Sequence, residues 1–427
     1  MLRSFRVGNH RSIRDEQELL LVPAYAKDRQ AVPVAAVYGA NASGKSNLLD
    51  GLKFLTDAVR DSFAKWPAEG GVPRRPFRLD PAARKRPSTF VVELLDDDVR
   101  YVYGFEVDDE RVLSEWLYAY PEKRKRVIFE RERDEVKFGS TVADLRITLD
   151  VLEGLLRSNA LFLSLAARTK LGPLLPVHHW LTSKLAFRLA LPAVDETEIV
   201  KLLLGESRVS RRFVDLVKVA DFGVSAVGLS IEMTPEKLVE LFGDLSRESW
   251  ADSLPELALR LNVSELRLKL THGDGEQAFH LGDESAGTRS WLALLPSVLG
   301  LLEDGGVLVI DEIDASLHPR LTAQLVALFR DARVNGGGAQ LVFTTHDPSL
   351  LSPALGDDVL RRDEVWFVEK RDDGATDLYP LSDFHPRKDG ENLARRYLGG
   401  SYGAVPNLLE GDFVEAFVGP GGADGAA

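Results

Sequence analysis

The chain has 427 residues, 44% of them hydrophobic and 28% charged, which is enough to bury a sizeable core in two or more lobes. Sixty-six acidic residues against 53 basic ones give a net charge of -13, which excludes a surface that is basic all over and confines any nucleic-acid contact to local patches or a partner. The lack of cysteine excludes disulfides and thiolate chemistry, and no apolar run is long enough to cross a bilayer or form a signal-peptide core, so a cytoplasmic protein is expected.

Strand patterns come first along the chain: "SFRVG", "ELLLV", "VPVAAVY", "TFVVELL" and "RYVYGFEV". One helix, "SGKSNLLDGLKFLTDAVRDSF", interrupts them. From about Leu149 the pattern turns helical in "LDVLEGLLRSNALFLSL", "LVKVA" and "TPEKLVELFGDL", with a strand expected at "VSAVGLSIEM". Strand and helix then alternate through "LRLKLTH", the helix after "DESAG", "VLVID", "LTAQLVALFRDA", "QLVFTT" and "EVWFVEK", a pattern of a sheet covered by helices. The expected organisation is an N-terminal lobe over 1–148, a mainly helical insertion over 149–262, a C-terminal lobe over 263–380, and an extension over 381–427 ending in a disordered "GPGGADGAA". Two basic stretches, Pro73–Pro87 and Glu122–Arg126, read first as solvated loops and second as places where nucleic acid could bind. His178 and His179 have no second ligand pair at metal spacing and read as structural.

"GANASGKS" fits the phosphate-loop pattern at every defined position and lies between an apolar strand and a helix. Its residues Gly39, Ala40, Asn41, Ala42, Ser43 and Gly44, with Asn47 just beyond, would wrap a triphosphate. Lys45 would reach the β- and γ-phosphates, and Ser46 would offer its hydroxyl to Mg2+. "VLVIDE" supplies the second half: Asp311 to hold Mg2+ and Glu312 to orient and deprotonate the attacking water. His346, after the strand "QLVFTT", is placed to sense the γ-phosphate or that water.

The small polar run Ser285-Ala286-Gly287-Thr288 stands at the start of an apolar helix that needs only one cap. With it, five motifs occur in fixed order: phosphate loop, "ESAGTR", "VLVIDE", "DASLHP" and "TTHD". That order resembles the ATP-binding-cassette ATPases, specifically the soluble RecF/SMC-like branch. The resemblance implies an α/β fold, a P-loop ATPase head with a mixed sheet, ATP and Mg2+ as ligands, and a homodimer or higher homo-oligomer around ATP. In it Ser285, Ala286 and Gly287 would meet the partner's γ-phosphate, and Asp314 would cross the dimer seam. "NHRSIRD", "LFLSLAA", "LYPLSDF" and "RRYLGGSYGAVPNL" further resemble AAA-type ATP-binding proteins of bacterial phage-defence loci. By that analogy Arg11 and Ser12 line the nucleotide, and a separately encoded effector, a nuclease, is the partner. A DNA-binding repair or chromosome-maintenance ATPase is the alternative. No glutamine-loop residue stands out between Phe77 and Glu93, and "LLEGDFVEAF" reads as a C-terminal helix because too little chain follows it for a nuclease domain.

Overall fold

The computed structural model describes all residues other than 26–28, 141–145, 170, 190–193, 206, 221, 232–265, 276, 316, 357–358, 387–390, 407–412, 414–415 and 418–427. The expected helix "TPEKLVELFGDL", most of "LLEGDFVEAF" and the terminal glycine-rich tail lie outside the described residues.

The N-terminal strands are β1 (Leu2–Gly8), β2 (Gln17–Leu20), β4 (Ser88–Asp96), β5 (Val99–Val107), β6 (Val112–Tyr120), β7 (Arg126–Glu132) and β8 (Glu135–Phe138), with β3 (Val34–Tyr38) set apart from them. They form one antiparallel sheet in the order β2-β1-β4-β5-β6-β7-β8. The last three strands were not singled out as strands from the sequence. Their inward row carries a charged pair, Glu115 and Arg131, where an apolar alternation would have been the signal. Both side chains are fully buried, with the closest approach 3.6 Å. Glu115 accepts from the Tyr103 hydroxyl and from the Phe162 and Leu163 backbone N–H groups, so the burial is compensated.

The second sheet contains β3, β9 (Leu185–Arg188), β13 (Val307–Ile310), β14 (Gln340–Thr345), β15 (Val365–Lys370) and β16 (Thr376–Pro380), in the order β16-β15-β3-β14-β13-β9. All its pairings are parallel except the edge pair of β15 with β16. The strand β9 lies within the stretch read as helical. Four residues, "LAFR", between two helical patterns cannot be separated from a helix by periodicity. A third small sheet joins β10 (Val224–Ile231), β11 (Leu266–His272) and β12 (Ala278–Phe279).

Described helices are α1 (Lys45–Lys65), α2 (Pro81–Lys85), α3 (Arg146–Leu155), α4 (Phe162–Ala166), α5 (Leu175–Ser183), α6 (Glu196–Leu204), α7 (Arg208–Val219), α8 (Ala286–Asp304), α9 (Pro319–Arg330) and α10 (Leu393–Leu398). Every residue of β3 is buried, and its side chains divide between two cores. Ala35 and Val37 face the core shared with α1 and the antiparallel sheet, whereas Val34, Ala36 and Tyr38 face the core built with α8, α9 and α10. Helices thus cover both faces of the sheet, as parallel strands require.

The basic stretches divide. Lys123, Arg124, Lys125 and Arg126 are exposed at the β6–β7 turn. Arg74, expected in a solvated loop, is instead buried: its guanidinium donates to Asp109, to the Arg84 and Arg86 carbonyls and to Ser88.

Candidate active site

The phosphate loop leaves the C-terminal end of β3 and turns into α1. Gly44 has φ +116° and Ala42 φ +63°, left-handed values that open the loop. A Cβ on Gly39 would lie 2.4 Å from the Val368 carbonyl oxygen, and one on Gly44 would lie 2.2 Å from Thr376 Oγ1, so both glycines are required by close approach. Thr376 Oγ1 donates to the Ser43 carbonyl at 2.8 Å and lies 2.7 Å from Ser12 Oγ, which also accepts from Asn47 Nδ2 at 2.6 Å. The strand edge and the Ser12 loop therefore clamp the phosphate loop from outside. No side chain caps α1, and a helix start without a side-chain cap can receive an anion.

Lys45 is buried and donates to the carbonyls of Gly39 at 2.7 Å and Ala40 at 3.0 Å. Burial lowers its ammonium below the ordinary value, while Glu312, Asp311 and Asp314 pull it back up. The three carboxylates of the next motifs therefore lie within electrostatic reach of the lysine. Ser46, Asn41 and Ala42 are exposed, and Ser43 Oγ is buried without a partner among the described residues.

Asp311 and Glu312 follow β13, two strands from β3, and the strand between them, β14, supplies the residue that sets them. Thr344 Oγ1 donates to Asp311 Oδ1 at 2.5 Å and accepts from the Glu312 N–H at 2.8 Å. The Asp311 N–H is held by the Arg188 carbonyl of β9 at 2.9 Å. Glu312 adopts φ +49°, a conformation that disfavours any side chain, and its side chain is exposed.

His346 follows β14, and its Nδ1 lies 2.9 Å from Asp314 Oδ2. Asp314 is thus tied within its own chain to His346. Ser285 caps α8: its Oγ accepts from the Thr288 N–H at 3.1 Å and lies 2.9 Å from Thr288 Oγ1. Ser285 and Ala286 are exposed, while Glu284, just before them, is buried and bonded to His272 Nε2 at 2.7 Å.

Arg11 has φ +51° and donates through Nε and Nη2 to Asp50 on α1, with His10 Nε2 also 2.8 Å from that carboxylate. Burial would raise the Asp50 carboxyl, but the bonds from His10 and Arg11 hold it below its ordinary range. Arg11, Ser12 and Asn47 line one cavity of about 390 Å³ beside the phosphate loop, together with Arg75, Phe77, Arg78, Leu79 and Lys370. The sequence reading missed those five, as well as Thr344 and Thr376. The threonine pair at the end of β14 carried a usable signal, since a hydroxyl in the last residues of a buried strand needs a partner; the Arg75–Leu79 loop carried only its charge.

Residues from separate parts of the chain thus converge on the C-terminal ends of parallel strands, with a phosphate loop on one strand and paired carboxylates two strands away. This defines a P-loop ATPase head. The chain belongs to the family described as "AAA domain, putative AbiEii toxin, Type IV TA system", whose model matches residues 34–352. The family agrees with the resemblance to abortive-infection-linked ATP-binding proteins carried by the motifs. No curated protein matches the chain in sequence. Among solved structures, an SMC head bound to the C-terminal winged-helix domain of ScpA is 14% identical with a TM-score of 0.45, covering 90% of this chain and 99% of that one. The SMC head domain from Thermotoga maritima is 13% identical with a TM-score of 0.39, over 89% of this chain and 98% of that one. Among the described residues no helix is long and apolar enough to cross a membrane, and no cluster of three or more His, Cys, Asp or Glu side chains could hold a metal ion.

Proposed function

We propose that the protein is a cytoplasmic ATPase that closes into a dimer around ATP and, through that change, controls a separately encoded effector, a nuclease, in antiphage defence. The observation that carries the reading is the placement of Lys45 within reach of Asp311 and Glu312, with Thr344 fixing both acids. On binding, Lys45 exchanges its two loop carbonyls for phosphate oxygens, and the first-turn N–H groups of α1 take the remaining phosphate charge. The exposed Ser46 hydroxyl and the Asp311 carboxylate fit Mg2+, an ion usually held by one or two protein oxygens beside phosphate and water. When bound, Mg2+ neutralises charge on the phosphates. Glu312 orients the water and accepts its proton, and His346 senses the site with Asp314 behind it.

The exposed cap and first residue of α8 support the dimer reading, because Ser285 and Ala286 are open to a second molecule. The family description, which names a toxin system, supports the defence role. Glu312→Gln is expected to bind ATP with wild-type affinity and hydrolyse it about a hundredfold slower or worse. Turnover near wild type would remove Glu312 from the role of base.

The exposed cations Lys123 to Arg126 favour the alternative, a DNA-binding repair ATPase, yet Asp96 ends β4 and Asp97 and Asp98 form the turn before β5, whose Arg100 pairs with Tyr120 beside them. DNA affinity that falls steeply with salt and is lost on removing these lysines and arginines would decide for that reading.

A further inference from the structure

Besides Ser43 Oγ, two buried oxygen atoms beside the active site have no hydrogen-bond partner among the described residues: the Tyr38 hydroxyl and Asp314 Oδ1. Tyr38 is the last residue of β3, next to Gly39 of the phosphate loop, and it is fully buried on the sheet face opposite α1. Asp314 uses its other oxygen on His346. A third polar group, the Tyr397 hydroxyl of α10, makes a long 3.4 Å hydrogen bond to the Ala404 carbonyl. The Tyr38 and Tyr397 rings meet edge to face with centroids 5.4 Å apart.

The charge of Asp314 reaches both phenols. Burial raises Tyr38 well above its ordinary value, with Asp347, Tyr397 and Asp314 adding to the effect. Burial and then Asp314 push Tyr397 up to about 12. Both phenols are therefore neutral donors at any physiological pH, and both lie within electrostatic reach of Asp314, which has an oxygen without a partner among the described residues. Buried polar groups of this kind are ordinarily joined by ordered water.

Tyr397 is held by the C-terminal segment around it. Its ring stacks on Phe367 of β15 at 5.8 Å, and Tyr402 stacks on the same ring at 5.3 Å. The Tyr379 hydroxyl donates to the Tyr402 carbonyl at 2.9 Å, and Asn392 caps α10 by accepting the Arg395 N–H. The helix packs against the turn Pro348–Leu351, which directly follows His346 and Asp347.

We propose that Tyr38 and Tyr397 are positioning residues whose hydroxyls share a buried water site with Asp314 Oδ1, so that residues 391–405 brace the Asp314–His346 pair from behind. The kinetic part rests on the hydrolysis reading above; the shared site does not. The test is a double-mutant cycle of Tyr397→Phe and Asp314→Asn, read as melting temperature in nucleotide-free protein, with Tyr379→Phe as the control hydroxyl. The expected result is that the Tyr397/Asp314 double variant loses less melting temperature than the sum of its single losses, while Tyr379/Asp314 is additive. Additive losses for Tyr397/Asp314 overturn the shared site, whether or not the protein hydrolyses ATP. In hydrolysis assays Tyr397→Phe should lower kcat several-fold with ATP affinity unchanged, and an unchanged kcat overturns the positioning role.

Discussion

The phosphate loop and the signature segment both open long helices with small polar residues, and they are finished in opposite ways. The loop is completed by its own chain: Val368 and Thr376 close on its glycines, Ser12 and Asn47 lock its flank, and Lys45 is already bonded within it. The segment at the start of α8 is not enclosed in this way. Ser285 returns its hydroxyl to its own helix, and Ser285 and Ala286 face outward although most of α8 beyond the first turn is buried. One helix start is enclosed by its own chain. The other is left exposed by its own chain, which is the feature the proposed dimer uses.

The contrast can be broken most severely from the loop side. Lys45→Ala should weaken ATP binding about a hundredfold or more, since charge-assisted contacts to phosphate are worth a few kcal/mol together; titration calorimetry with Mg2+ reads this, and unchanged affinity would remove the phosphate-loop assignment. Thr344→Val keeps the shape of the strand but frees both acids, and should reduce kcat about tenfold with ATP affinity near wild type, measured by steady-state hydrolysis. An unchanged kcat would mean that Thr344 serves the strand alone. Ser285→Ala should cost only the cap, about 1 kcal/mol of stability, in denaturant unfolding of the nucleotide-free protein. A much larger loss would mean that the segment is part of the core of its own chain, contrary to its exposure.

The candidate site was legible in the sequence as a proposal wherever residue types recur at fixed spacing, as in Gly39 to Ser46 and in Asp311-Glu312. It was less legible wherever a residue acts on another across strands. Thr344 and Thr376 sit far from their partners in sequence, so although a hydroxyl ending a buried strand signals that Thr344 needs a partner, nothing local says which one. The fold followed the same division. Strands β3, β13 and β14 are apolar runs with clear ends, whereas β6 hides a buried glutamate and β9 is too short to distinguish from the helices around it. Arg74 misled for a related reason, because a basic run gives no sign that one member turns inward to satisfy backbone carbonyls.

The most direct test of the central claim, that one chain carries only half of each ATP site, is the mass of the protein in solution by light scattering with ATP and Mg2+. The Glu312→Gln variant, able to bind and slow to hydrolyse, is predicted to become a dimer with ATP and to return to monomer without it. Adding Gly287→Asp, which places a carboxylate where the partner's γ-phosphate would sit, is predicted to leave ATP binding intact and abolish the dimer. A Gly287→Asp single variant that stays monomeric and hydrolyses ATP at the wild-type rate would contradict the account, and the segment from Ser285 to Thr288 would be a capped helix start.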